Sequence, residues 1–192
     1  MIMDSKREVR TFNITGLQTR AGEGESQMIS GYAAVFNSPT DISGWFTEEI
    51  APGAFSSAIA SSDIRALFNH DWNNVLGRSS AGTLRLSEDE KGLKFEVDLP
   101  QTTVARDLVE SLKRGDINQC SFGFIPTVEE WDYNVEPAKR TVREVELFEV
   151  SVVSLPAYED TDVSLVRSKQ VAENVEKRMK LIKKINSTLE GK

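Results

Sequence analysis

The chain has 192 residues, the size of one ordinary domain, with 39% apolar and 28% charged residues. That mix suits a folded globular chain and argues against disordered, collagen-like and membrane classes, since no stretch approaches the roughly 20 apolar residues of a spanning helix. A single Cys and a single His exclude an internal disulfide framework and the usual zinc sites, and a net charge of −7 makes the body a poor nucleic-acid binder. The opening MIMDSKREVRTF lacks the apolar run of a secretory signal. These features predict a soluble, cytoplasmic domain with no metal or other cofactor.

The elements follow in chain order. Alternating apolar and polar residues from Glu8 to Thr19 predict an opening strand, and a polar turn of Gly and Glu residues separates it from the next. Met28 to Phe36 reads as a second strand, with Gly31 permitting a bend or bulge. Asn37 to Gly44, containing Pro39, Asp41 and Gly44, is expected to be a loop. Ser56 to Ala60 reads as a short helix, and Ile64 to Phe68 as a short apolar strand ending at Asn69-His70-Asp71. Strands around Leu84–Leu86 and Leu93–Leu99 are joined by a charged turn. Thr103 to Arg114 is the best helix, with Val104, Leu108 and Leu112 four apart on one face. Thr102 or Thr103 can cap its start, and Gly115 suits its end. Gln119–Phe124 and Thr141–Ser154 are strand-like, the latter rich in Val, and Pro156 ends it.

Charge divides the chain unevenly. Arg167 to Lys192 holds eight Lys or Arg and three Glu, a balance of +5, which leaves −12 for the first 166 residues. The expected organisation is a body over 1–166 and a basic amphipathic helical tail over 167–192. Its apolar positions are Val171, Val175, Ile182, Ile185 and Leu189. Many strands and only two body helices point to an α+β, mainly β fold, a barrel or sandwich with peripheral helices, and not to an alternating βαβ chain.

Three groups can carry chemistry. His70, the only imidazole, stands where an apolar strand runs into a polar loop, as hydrogen-bonded surface histidines also do. Ser121 lies between apolar residues in Cys120-Ser121-Phe122-Gly123-Phe124, and Gly123 leaves space beside its hydroxyl. Serine needs a base within hydrogen-bond reach. Alternation points Cys120 and Ser121 to opposite faces, so only one of them can meet His70. An acid to orient the imidazole is available at Glu144, Glu146 or Glu149. Alternation places Glu149 opposite the other two, flanked by Phe148 and Val150 and so more buried. With 30 acidic residues, carboxylate pairing of the glycosidase kind carries no information.

Six stretches, in order, resemble the prohead (capsid maturation) protease family of tailed phages. They are Ile29–Asn37, Glu49–Phe55, Leu67–Asp71, Val75–Arg78, Ser121–Phe124 and Leu147–Ala157, spanning roughly residues 9 to 165. The resemblance implies a herpesvirus-assemblin-like serine peptidase built on a closed antiparallel β-barrel wrapped by helices. It carries the base onto His70 and the nucleophile onto Ser121. Assemblins use a second histidine as the third member, and this chain has none left. Glu149 stands near the expected position and implies a Ser-His-Glu triad. Leu155-Pro156-Ala157 stands where assemblins have their oxyanion loop, and Pro156 has no N–H to donate. The implied substrates and partners are a scaffolding protein or segment, the major capsid protein and the protease itself, inside the immature prohead in the host bacterial cytoplasm. A homodimer is implied by analogy, and no nucleic acid or membrane partner. The alternative is a non-catalytic capsid-assembly or scaffolding protein that keeps the fold, and a third reading makes Cys120 the nucleophile.

Overall fold

The computed structural model describes residues 7–13, 18–21, 27–154 and 162–190. In chain order the elements are β1 (Glu8–Asn13), β2 (Gln18–Ala21), β3 (Gln27–Val35), β4 (Thr40–Ile42), β5 (Phe46–Ile50) and α1 (Ser56–Ser61). There follow β6 (Arg65–Phe68), β7 (Asp71–Arg78), a 3-10 turn, β8 (Leu84–Glu88), β9 (Gly92–Asp98) and α2 (Thr103–Arg114). The last are β10 (Gln119–Asp132), β11 (Ala138–Val153) and α3 (Asp162–Glu190).

Two sheets share one core. The larger has seven strands in the order β1-β10-β11-β5-β4, with β6 pairing both the C-terminal half of β11 and β7. The smaller runs β2-β3-β9-β8. Ile29, Phe95 and Val97 of the small sheet meet Phe122, Phe124, Val150 and Val152 of the large one in a single buried cluster. Phe122 organises it, with Phe55 edge-on at 5.3 Å and Phe124 at 4.8 Å between ring centroids. The architecture is mainly β with few helices, as expected. Among the described residues neither sheet closes on itself, so the expected closed barrel is not reached by strand pairing. Residues 14–17, between β1 and β2, lie outside the described residues.

α2 has its predicted bounds for the predicted reasons. Thr102 accepts from the Ala105 N–H, Leu108 and Val109 are buried, and Gly115 takes the left-handed φ of +81°. The strand β3 is also where expected, but its register break falls between Tyr32 and Ala34 instead of at Gly31. The expected loop from Asn37 to Gly44 contains β4, which pairs with the unforeseen β5. The strand β7 was unforeseen too, because its Asp-Trp-Asn-Asn opening is polar. α3 begins before the expected Ser168. Its Val175 is buried, and Arg178 and Lys183 contact Tyr133 and Glu136 beyond the end of β10. No helix among the described residues is long and apolar enough to cross a membrane.

The N-terminal strand is fastened by a buried charge cluster. Arg10 meets Glu48 at 2.6 Å and Glu8 at 2.7 Å, and Arg140 meets Glu48 at 2.8 Å and Glu8 at 2.9 Å. Arg140, 2% exposed, also contacts Glu129. One cluster thus joins β1, β5, β10 and β11. Removing a single charge strands the others in a poor solvent, which costs about 3–5 kcal/mol where one partner of a buried pair is lost. Arg140→Ala is therefore expected to lose about that much stability, read by urea unfolding, whereas Arg143→Ala, at an exposed pair with Glu130, is expected to unfold at nearly the parent's urea midpoint.

Candidate functional site

Ser121 and Glu149 rise from the two central strands of the large sheet. Cys120, Phe122 and Phe124 turn into the core, so Ser121 and Gly123 face the other side. On β11 the register breaks at the same level: Gly123 pairs with Glu149 while Phe124 pairs with Leu147, leaving Phe148 unpaired. This bulge corrects the alternation expected from the sequence. Leu147 and Val150 both enter the core, so Glu146 and Glu149 share the outer face, and only Glu149 is buried.

His70 arrives from the β6–β7 hairpin. Phe68 pairs with Asp71, leaving Asn69-His70 as a two-residue loop, and both have positive φ, +53° and +58°. Such loops match the twist of the flanking strands, but their second position ordinarily takes Gly. A histidine there bears local strain of the kind found at functional sites. Asn69 fastens the loop to β11. Its N–H donates to the Val152 carbonyl at 2.9 Å, and its Oδ1 accepts from the Ser154 N–H at 2.8 Å.

The imidazole Nδ1 lies 2.8 Å from Glu149 Oε1. Since an ionised carboxylate only accepts, Nδ1 carries a proton, and whenever the ring is neutral its lone pair lies on Nε2. Nε2 is buried and has no partner. Glu149 has no solvent exposure and two further donors: Arg7 Nη2 reaches Oε1 at 2.6 Å, and the Ser151 hydroxyl donates to Oε2 at 2.6 Å. Burial alone would push the Glu149 carboxyl up. The hydrogen bonds from His70 and Ser151 and the charges of His70 and Arg7 outweigh it and hold the group below the usual carboxylate range. Arg7 also lies over the Trp72 ring at 5.1 Å.

The structure brings His70 and Glu149 into contact and sets Ser121 on the same sheet face. It does not hydrogen-bond Ser121 to His70. The Ser121 hydroxyl donates to the Arg10 carbonyl at 2.8 Å and accepts from Thr11 Oγ1 at 3.1 Å. The space the sequence suggested beside Gly123 is filled. A Cβ there would stand 2.4 Å from Glu149 Oε1 and 2.5 Å from Arg7 Nη2. Cys120 is fully buried in the core on the opposite face, and burial pushes its thiol up, away from the reactive thiolate, which removes the cysteine reading. Leu155-Pro156-Ala157 lies outside the described residues.

A sequence profile described as caudovirus prohead serine protease matches residues 15–178. The chain belongs to that family. A prohead protease of Escherichia phage T5 is 29% identical over 102 residues, which are 53% of this chain and 45% of that relative. The chain therefore matches less than half of that relative's length. The bacteriophage T4 capsid assembly protease structure superposes with a TM-score of 0.48 at 10% identity, covering 77% of this chain and 96% of that one.

Within this prohead protease family member, sequence reasoning missed Arg7, Thr11, Asn69 and Ser151 as neighbours of the site. Ser151 was accessible to it, because two residues along a strand from Glu149 is the same face. Arg7 gave no signal, being one Arg among many charged residues.

Two outcomes follow from the buried carboxylate. A depressed carboxyl stabilises the fold above the ordinary Glu range and loses that contribution as pH falls through the lower folded value. Glu149→Gln is expected to flatten part of the acid side of a melting-temperature-against-pH curve, while leaving its shape near neutrality. Gly123→Ala is expected to cost about 1–3 kcal/mol through overpacking against Glu149 and Arg7, measured by chemical unfolding.

Proposed function

We propose that this chain is a serine endopeptidase of prohead maturation, with Ser121 as nucleophile, His70 as base and Glu149 as the acid that orients it. The observation that carries the reading is the state of His70: Nδ1 is bonded to a buried carboxylate, and Nε2 is buried without a hydrogen-bond partner. Glu149 fixes the tautomer with the lone pair on Nε2 and favours the imidazolium that forms when Nε2 takes a proton.

In the reaction, rotation of Ser121 about χ1 exchanges the Arg10 carbonyl for His70 Nε2. As the hydroxyl oxygen attacks the peptide carbonyl, its proton passes to Nε2, and the same proton goes to the leaving amine as the acyl-enzyme forms. Water, deprotonated by His70, then releases the acid and regenerates the serine.

Family membership supports the substrates as a scaffolding protein or segment, the major capsid protein and the protease itself, inside the immature prohead in the host cytoplasm. The dimer and the division into a body over 1–166 and a basic tail over 167–192 belong to the same reading. So does the barrel: the chain passes from an outer strand of the large sheet to an outer strand of the small one twice, from β1 to β2 and from β7 to β8. One observation favours the non-catalytic alternative, namely that the Ser121 hydroxyl is engaged by β1.

A fluorophosphonate probe separates the two. Wild type is expected to gain one adduct, located on Ser121 by fragment mass, and Ser121→Ala none. His70→Ala slows labelling by about 10²–10⁴-fold, the usual contribution of a general base. An unlabelled wild type supports the scaffolding reading instead.

A further inference from the structure

The Glu149 carboxylate is held asymmetrically. Oε1 takes two donors, His70 Nδ1 at 2.8 Å and Arg7 Nη2 at 2.6 Å, and Oε2 takes the Ser151 hydroxyl at 2.6 Å. Ser151 is 2% exposed and pairs directly with Ser121 across the β10–β11 ladder. Its proton is committed to the carboxylate and not to an imidazole.

We propose that Ser151 is a positioning residue for the reaction, acting through Glu149. The terminal torsion of a Glu side chain is broad and twofold, so one anchored oxygen does not fix the plane of the carboxylate. Arg7 makes that freedom costly. A guanidinium favours a forked, two-oxygen grip on a carboxylate, and here it shares a single oxygen with the histidine. The Ser151 hydroxyl occupies the second oxygen from within the sheet. It denies Arg7 the fork and keeps Oε1 turned toward His70. The hydroxyl and the carboxylate stand two residues apart on one rigid strand, which holds their separation without help from loops.

This inference rests on the reading of Ser121, His70 and Glu149 as nucleophile, base and acid, and the test treats the two separately. Fluorophosphonate labelling of Ser121 is followed by intact mass at several probe concentrations, giving a maximal rate and a half-saturation for each variant of the full chain. Ser151→Ala is expected to lower the maximal rate about tenfold, in keeping with loss of a hydrogen bond to a charged group, with half-saturation unchanged. Ser151→Thr, which keeps the hydroxyl, is expected to recover most of that rate. Glu149→Gln alone slows labelling, and adding Ser151→Ala to it slows labelling no further, because the two changes remove one arrangement.

The inference is overturned if Ser151→Ala labels at the wild-type rate. It is equally overturned if Ser151→Ala loses the same factor in the Glu149→Gln background as in wild type, or if the loss lies in half-saturation. A purely structural hydroxyl would show as a lowered melting temperature with the rates intact. Glu149→Gln labelling at the wild-type rate, with Ser121 still modified, would instead remove Glu149 from the reading itself.

Discussion

A carboxylate without solvent has to be surrounded by donors, and around Glu149 that requirement dictates the composition of the site. Ionised and fully buried, it would drive its own protonation but for His70, Ser151 and Arg7. Gly123 has no side chain because the carboxylate and the guanidinium occupy the place where a Cβ would stand. The bulge at Phe148 exists at the same level and turns Glu149 away from the core that Leu147 and Val150 enter. Histidine, glycine, serine and bulge are thus four answers to one electrostatic problem.

The second polar cluster, around Arg140, governs the site from a distance. It binds β1 to β5, β10 and β11, and β1 supplies the Arg10 carbonyl and Thr11 hydroxyl that engage Ser121. Arg10 takes part in both: its guanidinium joins the charge cluster and its backbone oxygen accepts a hydrogen bond from the Ser121 hydroxyl. Burial opposes the charge of that guanidinium, and Glu48 and Glu8 outweigh it, so Arg10 keeps its charge inside the cluster.

What the sequence disclosed follows from the range of the physics involved. The bounds of α2 were legible because capping and helical periodicity are local, and the opposite orientations of Cys120 and Ser121 because alternation is local too. His70, Ser121 and Glu149 were singled out as candidates, and the face of Glu149 was misjudged because a bulge is a property of two strands and not of one. β5 and β7 escaped notice since their residues are partly polar and owe their extended form to partners, β11 for the one and β6 for the other. Arg7 was invisible for the same reason, since its role depends on a strand more than a hundred residues away.

Those separations have a bearing on how the molecule comes into being. The contacts that assemble the site bridge 79 residues between His70 and Glu149, 111 between Arg10 and Ser121, and 142 between Arg7 and Glu149. Pairings so distant along the chain form slowly, because loop closure must be met before the contacts return any stability. Helices and local hairpins such as β8–β9 precede them. The site is consequently among the last parts of the fold to exist, and a chain still emerging from the ribosome, lacking β11, has a histidine and a serine but no arrangement that joins them.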